Sequence, residues 1–273
     1  MKPKELARAV TPPLIWRAAA RLRSALRDAE PGPFEGPFPS WQAAAARADG
    51  WDSSIITQKT VSSARRVRDG LSPAEQDGVL NERIPYSATV LSFLGLVAAR
   101  HGRLELIDFG GGLGAGYYQY RKVLRATGLP VVWNVVERPA IVELGIAEFA
   151  SAELRFFGAL ADVPAPRRAV MFTSSVQYLP DPHRLLDEVA ASAIDVVAFD
   201  RLLVSPAAAE DGPYVQHPNR AVYYDATYPV WSFAKRPFID RMAARGYSLV
   251  EAFDDDDTAP LDQCGLLFVR SDA

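Results

Sequence analysis

The spacing of apolar positions changes near residue 104. Beyond it, short apolar runs alternate with stretches of helical spacing; before it, helical spacing dominates. The runs at 104–107, 131–136, 154–157, 169–173 and 194–199 predict five strands. Segments 117–126 and 139–149, and one ending at 191, predict helices between them. This alternation is what a parallel sheet requires. Pro139 opens its helix, where a missing N–H costs nothing. Segment 201–231 reads as long and irregular, 237–245 as a helix, and 247–253 and 265–269 as two last strands. The acidic run 254–257 between those strands reads as a solvated turn. No internal repeat is visible.

Ahead of residue 104, Ser40 caps a predicted helix over 41–48, Asp49-Gly50 turns the chain, and 55–68 predicts a second helix. A third covers 87–100, with Leu91, Leu94 and Val97 on one face. These helices are placed to cover the edge of a ligand site, with Trp41 and Trp51 either contributing to the cover or packing beneath it. Residues 31–39 are rich in Pro and Gly and read as a linker without regular structure.

Composition narrows the class. The 273 residues are 49% hydrophobic and 23% charged with a net charge of -3, which suits a soluble α/β domain and offers nothing global to nucleic acid. The single cysteine, Cys264, excludes an internal disulfide framework and fits a reducing, cytoplasmic compartment. Three histidines and no clustered cysteines make a metal site unexpected. No secretory signal or membrane-spanning run is visible. Residues 1–32 are set apart by charge: seven Lys and Arg face Glu5, Asp28 and Glu30. Over 13–28 the apolar residues Leu14, Ile15, Ala18, Ala19, Leu22, Ala25 and Leu26 recur at helical spacing beside Arg17, Arg21 and Arg27. Such a basic amphipathic helix either lies on an anionic membrane surface or docks on its own domain. The charge pattern leaves the oligomeric state open.

Candidate chemistry concentrates at 104–116, LELIDFGGGLGAG. An apolar run ends in Asp108, glycines follow at 110, 112 and 114, and a helix begins. A strand, glycine turn and helix bring backbone close to a nucleotide-like ligand over a helix N-terminus. Gly110, Gly112 and Ala115 also satisfy a loose dinucleotide fingerprint, so the glycines alone admit NAD. Asp108 favours a different ligand, because an acid at that place repels pyrophosphate and suits S-adenosylmethionine (SAM), which carries an ammonium, a sulfonium and no phosphate. Glu137, at the end of the second strand, stands where an acid accepts hydrogen bonds from ribose hydroxyls. Ser174, Ser175 and Asp200 fall at later strand ends, on the ligand side of such a sheet. Asp162 is a candidate for the adenine amino group.

The segments IDFGGGLG, VVERP and SSVQYLPDP look like those of class I SAM-dependent methyltransferases. More narrowly, GPFPSW at 36–41, NVVERP at 134–139, SSVQYLPDP at 174–182, VQH at 215–217 and YPVWSF at 228–233 resemble one bacterial methyltransferase family, its activity inferred, associated with surface-polysaccharide gene clusters. The likeness begins near residue 33. It implies a Rossmann-like, mostly parallel sheet with its last strand antiparallel, and a division into a basic arm (1–32), a helical cap (33–103) and a SAM-binding domain (104–273). It implies SAM as cofactor and O-methylation of a glycan or glycan precursor as the reaction; a SAM-binding protein without transferase activity and an NAD(P)-dependent enzyme are the alternatives.

Methyl transfer to a hydroxyl requires alignment and removal of a proton. His217 is the histidine of the predicted loop and a candidate base; its alternative is an ordinary loop hydrogen bond. Asp200 is placed to orient it or to bind a hydroxyl, and Arg201 to hold a carboxylate or phosphate of the acceptor. Tyr223, Tyr224, Tyr228 and Trp231 in the same segment suit a sugar face or simple packing. His183 reads as structural.

Overall fold

The computed structural model describes residues 33–50, 54–76, 78–218, 226–253 and 261–271, with backbone alone over 54–58. The basic arm, Trp51, Tyr223, Tyr224 and the acidic run 254–257 lie outside these residues.

The described chain runs β1 (Phe34–Glu35), α1 (Trp41–Arg47), α2 (Ser54–Arg68), β2 (Ala74–Gln76), β3 (Val79–Asn81), α3 (Ala88–His101), β4 (Leu104–Phe109), α4 (Ala115–Thr127), β5 (Val131–Val136) and α5 (Pro139–Glu148). It continues β6 (Leu154–Phe157), β7 (Ala169–Thr173), α6 (Pro182–Ala191), β8 (Val196–Ser205), β9 (Gly212–Gln216), β10 (Tyr228–Ala234), α7 (Lys235–Ala244), β11 (Tyr247–Phe253) and β12 (Asp262–Arg270). Ser40 caps α1 as expected, its Oγ accepting from Ala43 N at 3.2 Å.

The sheet centre is parallel, in the order β6-β5-β4-β7-β8. β12 then joins β8 antiparallel, and β11 joins β12 antiparallel. This is the Rossmann-like, class I methyltransferase type of sheet, mostly parallel with antiparallel strands at one edge. The chain moves outward from β4 through β5 to β6 and returns to β7 on the other side, so the switch in strand order lies between β4 and β7. A crevice forms there by necessity, because the connections leave in opposite directions.

Both faces of the sheet are covered. Period-two alternation sends Leu104, Leu106, Ala169, Met171, Val196 and Ala198 into one core with α3, α4 and the α2 residues Val61 and Ala64. Ile107, Val170, Phe172, Val197 and Phe199 point to the other face, against Leu185, Leu186 and Val189 of α6 and Phe238 and Met242 of α7. α3 therefore packs directly on β4 and β8. Its buried face is Val90, Phe93, Leu94 and Val97; Leu91, expected on that face, is 38% exposed.

Three expectations are corrected. Residues 201–231 are not one irregular segment: β8 runs on to Ser205, and β9 and β10 form an antiparallel pair. Pro213 and Pro229 break the strand pattern in sequence, yet each sits opposite a partner on the neighbouring strand. Second, the Pro- and Gly-rich linker contains β1, which pairs antiparallel with Gln216 and Val215. Third, Asp200 does not end its strand. The register between β8 and β12 shifts there, setting Asp200 and Arg201 opposite the single Gly265. This is a β-bulge, which redirects side chains.

Candidate functional site

A cavity of about 900 Å³ opens at the C-terminal ends of β4, β5 and β7 and beside the bulge in the middle of β8, at the upper end of the size usual for small-molecule sites. Asp108, Gly110, Gly112, Glu137, Ser174, Ser175, Asp200 and Arg201, all singled out from sequence, line it and meet in one space. Gly114 and His217 are not in its lining.

One half is built around the β4–α4 turn. Trp133, on β5, donates from its indole Nε1 to Asp108 Oδ2 at 3.0 Å. Asp108 is only 3% exposed. Burial pushes its carboxyl from the ordinary 3.8 up to about 7; the indole hydrogen bond opposes this and the charge of Glu137 adds to it. The turn wraps the acid closely. A Cβ on Gly111 would fall 2.5 Å from the Asp108 carboxyl carbon, and one on Gly116 3.1 Å from Oδ2. Gly112 differs: its φ is +58° and a Cβ there would meet no protein atom within 4 Å, so its bare backbone faces the cavity. Gly114 starts α4 with no side-chain cap, and Ala115 and Gly116 of the first turn line the cavity. Glu137 accepts from Gly112 N at 3.3 Å through Oε1 and from Arg138 N at 2.8 Å through Oε2. The result is two carboxylates beside exposed backbone, an environment for hydroxyl and ammonium donors and against a pyrophosphate. Asp162 is exposed in a short 3₁₀ turn, outside the lining, with its carboxylate near Gly158, which does line it.

The other half is built across the end of β7 and the bulge of β8. Ser174 and Arg201 both have left-handed backbones, φ 50° and 53°, a conformation costly for residues with a Cβ and concentrated at functional sites. Ser174 N donates to Asp200 O at 2.8 Å. Gln177, 1% exposed, donates from Nε2 to Ser174 Oγ at 3.2 Å and to Arg201 O at 3.1 Å, holding the two together. Ser87 donates from Oγ to Asp200 Oδ1 at 2.5 Å while capping α3 through Val90 N, and its own N–H donates to Tyr120 Oη at 2.9 Å. Burial pushes the Tyr120 phenol up to about 12, so it stays neutral in this role. Among the described residues, Ser175 Oγ is buried with no hydrogen-bond partner. Thr60, Glu75 and Gln76 of α2 and β2 close the cavity from the N-terminal side.

His217 stands elsewhere. Its N–H donates to Pro33 O at 2.8 Å, and its Nε2 is 3.2 Å from Glu35 Oε2, so it ties β9 to β1. The preceding Gln216 reaches toward the cavity instead, accepting from Tyr178 Oη at 2.7 Å. His183 binds Asp211 Oδ2 at 2.9 Å, and Arg241 grips the same carboxylate, a structural anchor for the segment before β9. Trp231 stacks on Trp41 with ring centroids 5.7 Å apart and donates to Leu179 O. Sequence reasoning passed over Gly111, Trp133, Ser87, Gln177 and Glu75. Only Gly111 carried a local signal, as the middle glycine of three in a row.

The chain matches no family model and no protein of curated function. Solved structures similar to it include LepI in complex with SAM, at a TM-score of 0.46 and 15% identity over 70% of this chain and 49% of that one. This chain thus spans about half the length of LepI. Another is the 1,6-didemethyltoxoflavin-N1-methyltransferase of Burkholderia thailandensis, bound to 1,6-didemethyltoxoflavin and S-adenosylhomocysteine (SAH), at 0.45 and 15% over 88% and 94%. The CcbJ methyltransferase of Streptomyces caelestis gives 0.45 and 11% over 67% and 88%. Similarities this low decide nothing about ligand or reaction in this chain.

Proposed function

We propose that the chain is a SAM-dependent methyltransferase acting on a hydroxyl of a glycan or glycan precursor. The observation that carries the cofactor is that two acids line the cavity beside the β4–α4 turn: Asp108, wrapped by Gly111 and Gly116, and Glu137, which accepts from the cavity-facing Gly112 N–H. Glu137 is placed to accept from ribose hydroxyls and Asp108 to face the ammonium, while the open Gly112 position lets the ligand lie against the turn. The residues present therefore fit SAM better than a dinucleotide, whose pyrophosphate would lie against the Asp108 acid at the glycine turn. Bound SAM supplies a methyl carbon on a sulfonium, which leaves as neutral SAH when an oxygen lone pair displaces it. Asp200 lines the acceptor half and takes the hydroxyl proton in this proposal. Ser87 fixes one of its oxygens, which leaves the other for the acceptor. Ser174 and Ser175 support the junction between the two halves.

In the proposed enzyme, residues 1–32 are a basic arm, 33–103 the cap and 104–273 the cofactor-binding domain. The setting proposed is the cytoplasm, with residues 13–28 against an anionic membrane surface; salt-sensitive co-sedimentation with anionic vesicles tests that contact. Among the described residues, no helix is long and apolar enough to cross a membrane. Calorimetric titration of the full chain with SAM, SAH and NAD tests the cofactor. Micromolar binding of the first two and none of NAD is expected; NAD binding with silent SAM titrations refutes the proposal. SAM binding with no SAH formed from any hydroxylated acceptor would favour a binding protein.

A further inference from the structure

We propose that the acceptor carries an anionic group, a carboxylate or a phosphate, a few atoms from the methylated hydroxyl, and that Arg201 receives it; this deepens, and rests on, the methyl-transfer reading above.

Consecutive residues of a strand point to opposite faces, yet Asp200 and Arg201 both line the same cavity. The bulge opposite Gly265 makes this possible, because two residues of β8 take the place of one. Arg201 reaches that direction only in a left-handed backbone, φ 53°, which arginine disfavours. The buried Gln177 holds it there by its carbonyl. A surface arginine in need of solvent alone requires none of this.

Among the described residues the side chain is then left with one long ion-pair contact, to Asp200. Among the described residues it makes no hydrogen bond, and its Nε is buried without one. Its nearest carboxylate oxygen, Asp200 Oδ2, is 3.8 Å away, outside hydrogen-bond range. Asp200 is instead held by Ser87 through Oδ1. A planar guanidinium fork in a cavity wall is the natural receptor for a planar carboxylate or a phosphate, taken two-handed. The other charged groups direct an anion to it: Glu137 and Glu75 repel one from the remaining walls, and Arg138 stands beside Glu137 at 4.0 Å. Asp200 beside Arg201 thus complements a hydroxyl beside an anion.

The test uses the full chain saturated with SAH and titrated with D-glucuronate, D-glucose 6-phosphate and methyl α-D-glucopyranoside. At least one charged sugar should bind about tenfold or more tighter than the neutral one, the scale of a lost hydrogen bond to a charged group. Which of the two binds tighter separates carboxylate from phosphate. Arg201→Gly removes the fork while suiting the left-handed backbone, so its melting temperature should equal or exceed that of the native chain. It should bind SAH normally and lose the preference for charge. Equal binding of neutral and charged sugars, no binding of either charged sugar, or an undiminished preference in Arg201→Gly would each overturn the proposal while leaving SAH binding intact. Failure of SAH itself to bind would instead bring down the methyl-transfer reading, and this proposal with it.

Discussion

The cavity half around Asp108 is built on residues 108–137, a single strand-turn-helix-strand unit, whose side-chain hydrogen bonds from Asp108 and Glu137 span 25 residues or fewer. The half around Asp200 joins residues far apart: Ser87 to Asp200, Gln177 to Arg201, Gly265 opposite the bulge, and Glu75 from the cap. The first half works through backbone that glycine leaves bare, together with two fixed acids. The second works through side chains held in a strained arrangement by a buried amide. A local, backbone-built half suits a constant ligand, and an assembled, side-chain-built half suits the variable partner of a two-substrate reaction.

That contrast can be broken from either side. The largest effect is expected for Asp200→Asn. With an acceptor that supports turnover, SAH formation should fall by about a hundredfold or more, the scale of a lost base, while the SAM dissociation constant stays within about twofold. A matching loss of SAM affinity would mean that the halves are not separable. Next is Glu137→Ala, which removes the acid proposed to accept charge-assisted hydrogen bonds from ribose. It should weaken SAM binding by about 1.5 to 3 kcal/mol, roughly ten- to hundredfold, and leave turnover at saturating SAM largely intact. An unchanged dissociation constant would take Glu137 out of the site. The smallest effect is expected for His217→Ala. Because His217 pairs with Glu35 outside the cavity lining, SAM affinity should not move and turnover should drop no more than about threefold. A loss on the scale of Asp200→Asn would restore His217 as the base and require β9 to move toward the cavity.

The same contrast explains what could be read from the chain in advance. Asp108, Gly110, Gly112 and Glu137 announce themselves because the whole device fits within one apolar-run, glycine-turn, helix and strand pattern. Ser87 and Gln177 carry no such mark. A serine before a helix reads only as a cap, and a glutamine after a strand reads as nothing in particular until the fold sets it beside Ser174 and Arg201. The bulge was illegible for a related reason. Asp200 resembles the polar end of a strand, and only pairing with β12 shows that β8 continues. Pro213 and Pro229 concealed β9 and β10, because proline argues against a strand unless its neighbours are known. His217 stands apart by position: its type suits a base, but side-chain type says nothing of direction, and it lies outside the cavity lining.

The central claim is that Asp108 faces the ammonium of SAM, and its burial makes this measurable. Its folded pKa, about 7, lies above its ordinary 3.8. In the ligand-free chain its contribution to stability is therefore fully present below that ordinary value and is lost as pH rises through about 7. An ammonium favours the carboxylate, so SAM should drive a proton off Asp108 at pH values below about 7. Calorimetric titration with SAM between about pH 5.5 and 7.5, in buffers of different ionisation enthalpy, reads this linkage. The native chain should bind more tightly as pH rises and release a proton at the lower end, and Asp108→Asn should bind more weakly with no pH slope. Tight binding by Asp108→Asn, or a flat profile in the native chain, would contradict the assignment.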